Sequence, residues 1–262
     1  MKIKFILIIS FYLSTFLLAQ YNGGSGSGYG AGSSNLAQLS AFLQGPYSGG
    51  TMTTALNAII PLSQPYNVSP WNYNGTESVA SGFFSSHLNI VDWVLIELRA
   101  TTASSSVEER RACFILNNGS IVDLDGSSPV VFDKTDGNSY YVVIRHRNHL
   151  AIMSANALIL SSSLAGVYLT GGSSNYSFSS AQTQAYGTNP MQDLGSGVFG
   201  LISGDGNSNG GVNIADRNLV WRIQNGTLGY LLGDFDLSSG VNIADRNLKW
   251  RINNGKLSQV PN

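Results

Sequence analysis

The segment from Gly204 to Gly226 recurs at Gly233 to Gly255 with a shift of 29 residues, and sixteen of the 23 aligned positions are identical. The shared text is GD, then GVNIADRNL, then WRI and NG. A repeat of this length is too short to bury a core alone, so the two copies are expected to pack against each other as a small pseudo-symmetric unit.

Within each copy, oxygen-bearing residues fall at alternate positions. Asp205, Asn207, Asn209, the carbonyl of Gly211, Asn213 and Asp216 form the first series. Asp234, Asp236, Ser238, the carbonyl of Gly240, Asn242 and Asp245 form the second. A calcium ion needs six or more oxygens around one point, and a loop supplies them through alternate side chains, one backbone carbonyl and a closing carboxylate on the following helix. Both copies have that spacing, so two calcium ions are expected, one per loop. Magnesium fits less well, because it prefers a tight octahedron with several retained waters. Closure by Asp rather than the longer Glu points to an affinity of about 0.1–1 mM. Gly210 stands where the turn calls for a left-handed backbone, and Ser239 takes that place in the second copy at a cost of about 1 kcal/mol. The first loop offers two carboxylates and the second three.

A short helix is expected after each loop. Leu219 and Ile223, then Leu248 and Ile252, are spaced four apart, and Asn225-Gly226 and Asn254-Gly255 supply the Gly that ends a helix. Trp221 and Trp250 are expected to form the core between the copies. GDGNSNGGVNIADRNLVWRIQNG and GDFDLSSGVNIADRNLKWRINNG resemble the paired loop-helix repeats of type I dockerins. That resemblance covers about a fifth of the chain. It implies an EF-hand-like module without the entering helix, with cohesin modules as partners. Ile214-Ala215 and Ile243-Ala244 then occupy the partner-recognition places, and their identity would permit binding in two orientations. Dockerin-like tails also occur in bacteria without a cellulosome, and for such a tail the resemblance implies either internal docking or stiffening of the chain.

The chain starts with Lys2 and Lys4, followed by an apolar run from Phe5 to Leu18 and the small residue Ala19. Residues 1–20 are therefore expected to be a secretory signal peptide, since an apolar run this short falls below the roughly twenty residues that span a bilayer. A secreted, extracellular or cell-surface location follows as an expectation. One cysteine, Cys113, cannot make an internal disulfide, so a core and bound metal must hold the fold. YNGGSGSGYGAGSS, residues 21–34, is expected to be a flexible linker. Fourteen scattered basic residues against fifteen acidic ones leave no patch for nucleic acid.

Residues 35–200 are expected to fold as a β-sandwich. Val91–Arg99, Arg111–Leu116, Ser120–Leu124 and Tyr140–His146 have the branched and aromatic content of strands. Asn117-Asn118-Gly119 marks a hairpin between the second and third. The segments VDWVLIELR, RRACFILNNGSIVDLDG and YYVVIRHRNHLAIMSA also resemble regions of large bacterial surface proteins of adhesin-like or hemagglutinin-like type. No catalytic residues come with that resemblance. Asp123 and Asp125 in VDLDG read as turn residues, and His146 and His149 in RHRNH as structural hydrogen-bonders. The leading expectation is a calcium-binding surface protein whose β domain binds a partner or glycan. Its rivals are a polysaccharide-degrading hydrolase that uses Asp123, Asp125, Glu97 or His146, and a structural subunit of a surface assembly.

Overall fold

Ile90–Arg99, with the sequence IVDWVLIELR, is a mostly apolar run and forms a strand covered on both faces. All ten residues are buried. It pairs antiparallel with Val107–Leu116 on one side and with Ser139–His146 on the other. The chain is described here by a computed structural model covering residues 35–134, 137–160 and 175–261. The expected signal peptide and Gly/Ser linker lie outside the described residues.

Around this central strand the sheet runs, in spatial order, His149–Met153, Ser139–His146, Ile90–Arg99, Val107–Leu116, Ser120–Val122, Leu39–Ser40 and Tyr176–Ser177. Leu158–Ile159 adds an eighth strand beside Ser139–His146. The protein is mainly β, built on this curled sheet, and the remaining described sheets are strand pairs. The hairpin at Asn117–Gly119 is present, with Phe114 opposite Val122 and Ile115 opposite Ile121. Gly119 alone takes the positive φ, 87°, while the Asn118 side chain accepts a hydrogen bond from the Ser120 N–H. That division of labour suits a three-residue connection, in which one left-handed residue closes the turn.

Loops supply much of the layer over the sheet. Pro46, Pro61, Pro65 and Pro70 punctuate this stretch and cannot donate to a ladder. Leu56, Tyr66 and Phe84 nevertheless join the core of the sheet. Polar ties fix them there: the Tyr66 hydroxyl donates to the Trp93 carbonyl at 2.8 Å, and Trp93 Nε1 donates to the Pro61 carbonyl at 2.9 Å.

The central strand buries three charged side chains, Asp92, Glu97 and Arg99, and each must find a partner. Glu97 accepts from Arg99 Nε at 2.6 Å and Arg110 Nε at 2.8 Å, with Arg145 Nε at 3.4 Å. Burial pushes the Glu97 carboxyl up, but the arginines outweigh it and hold the group below the ordinary glutamate value. Asp92 lies at the other end of the strand and belongs to the junction with the tail.

A second, smaller core joins the sheet to the repeat. Leu150 and Ile202 pack with Val212, Trp221, Phe235, Val241 and Trp250. The described residues accordingly belong to one compact unit, although sequence places a domain boundary near residue 200.

Candidate metal centre

The two loops fold alike around their first and last carboxylates. In the first, Asp205 accepts the N–H groups of Asn209 and Gly210, both at 3.0 Å, and Asp216 accepts those of Asn207 at 3.1 Å and Asn213 at 2.7 Å. In the second, Asp234 accepts from Ser238 and Ser239, both at 2.9 Å, and Asp245 from Asp236 at 3.0 Å and Asn242 at 2.8 Å. Asn213 and Asn242 each turn Oδ1 to the N–H of the alanine two residues on, at 2.8 Å, and so begin the helices. Each loop thus wraps around its first and last carboxylates.

Asp216, Asp234 and Asp245 are fully buried, and Asp205 is 4% exposed. Burial first, then the charge of Asp216, pushes the Asp205 carboxyl up to about 7. Burial, with Asp245 adding to it, raises Asp234 to about 7, and burial with Asp236 raises Asp245 to about 6. Among the described residues, none of these carboxylates forms an ion pair with Lys, Arg or His. Oxygens of Asp234, Asp236 and Asp245 lie within 4.8 Å of one another. Carboxylates so placed repel each other and lack solvent, and a shared cation relieves both penalties. The donor set is all oxygen, which suits a hard ion such as calcium better than one preferring nitrogen or sulfur.

The left-handed turn falls where the spacing requires it. Gly210 has φ 86° and Ser239 φ 73°. Replacing Ser239 with Gly is therefore expected to stabilise the calcium-loaded protein by about 1 kcal/mol. Urea unfolding in calcium checks this, and an unchanged or lower midpoint would contradict it.

Pseudo-symmetry continues beyond the loops. A helix runs Asp216–Trp221 with a widened turn and continues as Arg222–Gln224, and its counterpart runs Asp245–Trp250 and Arg251–Asn253. Trp221 Nε1 donates to the Asn242 carbonyl and Trp250 Nε1 to the Asn213 carbonyl, both at 2.8 Å. Arg246 lies over the Trp221 ring and Arg217 over the Trp250 ring, at 5.6 and 5.8 Å. Each tryptophan is buried and ties its helix to the opposite loop. Leu219, Ile223, Leu248 and Ile252 face solvent, so the apolar spacing marks the outer face of each helix and the tryptophans mark the inner one. Ile214 and Ile243 are also exposed, to 55% and 54%, at matching positions.

Sequence reasoning missed the clamp that holds the tail. Arg147 donates from Nε to Asp92 at 2.9 Å and from Nη1 to the Leu231 carbonyl, and lies 4.1 Å over the Tyr230 ring. Asn148 Nδ2 donates to the carbonyls of Leu232 at 3.2 Å and Asp234 at 2.7 Å. The turn between two strands of the sheet therefore grips the entry to the second loop. Burial opposes ionisation of Asp92, yet Arg147, followed by His146 and Tyr230, holds it down at about 2.

His146 and His149 lie inside this junction as the structural reading expected. The Gly45 N–H donates to His149 Nε2 at 3.0 Å, which places the His149 proton on Nδ1, toward Asn148 Oδ1 at 2.9 Å and His146 Nδ1 at 3.0 Å. His146 then presents its Nε2 proton to Asp92 at 3.2 Å. Burial depresses both pKa values, that of His149 well below the ordinary range. Every ring nitrogen is occupied. Asp123 is forked by Arg111 at 2.7 and 3.0 Å, and Asp125 accepts the N–H groups of Ser127 and Ser128 in the turn. The cleft that His146 lines includes none of Glu97, Asp123 or Asp125.

No family model, no curated protein and no solved structure matches the chain.

Proposed function

We propose that this chain is a secreted or cell-surface calcium-binding protein, with a dockerin-like tail that mediates protein docking and a β-sandwich-like domain that binds a partner or glycan. The observation that carries the reading is the duplicated loop: two sets of buried carboxylates, closed by the same hydrogen bonds at a shift of 29 residues and lacking cationic side chains in ion-pair contact among the described residues. Asp205, Asn207, Asn209, the Gly211 carbonyl, Asn213 and Asp216 would hold one calcium. Asp234, Asp236, Ser238, the Gly240 carbonyl, Asn242 and Asp245 would hold the other. The ion would supply, at contact distance, the positive charge that no ion pair gives these carboxylates among the described residues, and would so fix the helices that follow.

The clamp engages the inner side of the tail and leaves two matching apolar rows outward: Ile214, Leu219 and Ile223, and Ile243, Leu248 and Ile252. Exposed apolar side chains in such rows suit a protein partner with an apolar face. In this reading the partner is cohesin-like, and either row serves. Immobilised cohesin modules are the test, with the whole chain in calcium. Replacing Ile214 and Ile243 together by the uncharged Ser is expected to weaken capture at least tenfold and leave the calcium isotherm unchanged. Equal capture by the variant, or no capture of the parent by any cohesin, would remove the docking role.

A further inference from the structure

A cleft of about 310 Å³ lies between the sheet and the first loop, at the small end of the roughly 300–1,000 Å³ range of small-molecule sites. Arg110 and Arg145 reach it from the two strands that flank Ile90–Arg99, Trp71 and Ser258 line it, and Asn209 lines it from the loop. Three guanidinium groups, those of Arg99, Arg110 and Arg145, converge on the single carboxylate of Glu97. Arg99 is buried there, and the other two are about a third and a quarter exposed at the cleft. Three cations against Glu97, with Asp205 as the further carboxylate on the cleft lining, leave net positive charge in a concave surface, where the field is concentrated.

Geometry adds specificity to charge. Arg110 contacts Glu97 through Nε and the Trp71 carbonyl through Nη1, and Arg145 contacts Glu97 through Nε and Nη2. Among the described residues, Arg110 Nη2 and Arg145 Nη1 have no hydrogen bond, so both arginines keep a donor for a ligand carboxylate. The indole of Trp71 is set edge-on against Tyr66, with ring centroids 5.1 Å apart, which fixes its orientation. Asp205 also borders the cleft, but both its oxygens accept loop N–H groups. The Asn209 side-chain nitrogen, Nδ2, has no hydrogen bond among the described residues and can serve a hydroxyl.

A planar carboxylate, an apolar ring face and several hydroxyls occur together in a uronic acid. We propose that this cleft binds a uronate-containing oligosaccharide, with the carboxylate between Arg110 and Arg145 and a sugar face on Trp71. The proposal rests on the glycan-binding half of the reading above and names the glycan's class. The cleft shares Asp205 and Asn209 with the first loop, so calcium binding is measured separately and calcium is held fixed in the test.

The probe is digalacturonic acid, titrated calorimetrically into the whole chain at fixed saturating calcium. The acid is expected to bind, and its dimethyl ester, with the same rings and no charge, to bind at least tenfold more weakly. Arg145→Gln, which leaves Arg99 and Arg110 on Glu97, is expected to lose at least tenfold while its calcium isotherm is retained; Trp71→Ala is expected to lose affinity for acid and ester alike. Equal affinity for acid and ester, no effect of Arg145→Gln, a glutamate tripeptide binding as tightly, or no binding of the acid would each overturn the proposal. The comparison of acid with ester needs no variant, so a misfolded mutant cannot decide it.

Discussion

Replacing Arg147 with alanine is expected to lower the stability of the calcium-loaded protein by about 3–5 kcal/mol, the usual loss when one member of a buried ion pair is removed. The side chain is 2% exposed and its guanidinium meets Asp92 and the Leu231 carbonyl, with the Tyr230 ring beneath it. Without it, Asp92 stays fully buried with its main cationic partner gone. The damage is expected to be directional. Since Arg147 and Asn148 together hold the carbonyls of Leu231, Leu232 and Asp234, the second loop should lose calcium affinity and the first should keep it. Urea unfolding and a calcium isotherm on the same variant test both parts. A loss below about 1 kcal/mol would mean that the clamp is a surface contact in energetic terms.

Removing calcium is expected to cost a similar amount by a different route. A ligand that binds only the folded state stabilises it by about 2.7 kcal/mol at a hundred times its dissociation constant. With two sites of about 0.1 mM, 10 mM calcium therefore contributes about 5 kcal/mol. At roughly 2–4 °C per kcal/mol for a chain of this size, chelation should lower the melting temperature by about 10–20 °C. Because the second core joins Leu150 and Ile202 of the sheet side to Trp221 and Trp250 of the tail, one cooperative transition should move as a whole. A transition unmoved by chelator would place the loops outside the stability of the fold.

The sequence exposed some of this architecture because the signals are local. The 29-residue repeat, the alternating oxygens, Gly119 in its turn and the apolar run around Trp93 all act within a few residues, and all recur in the fold. Strand ends moved by a few positions: Val107–Leu116 begins before the apolar stretch, because Glu109 and Arg110 still pair with the central strand at Leu98 and Glu97. The clamp had no local signal. Arg147 and Asn148 meet partners 55 to 86 residues away, and nothing in RHRNH distinguishes a strand-end histidine from one that orients a junction. Spacing of the tail leucines was legible too, but the side of the helix that faces the core depended on Trp221 and Trp250 reaching the opposite loop. The cleft was illegible for the same reason, since Trp71, Arg110, Arg145 and Asn209 come from distant parts of the chain.

Calorimetric titration of calcium into the whole chain and into an Asp216→Ala, Asp245→Ala double variant tests the central claim most directly. Both carboxylates close their loops by accepting two backbone N–H groups each, so their loss would remove the proposed ligand and the frame around it. Two binding events in the parent, at about 0.1–1 mM, and none in the variant are the predicted result. No heat of binding in the parent, or an unchanged isotherm in the variant, would contradict the account.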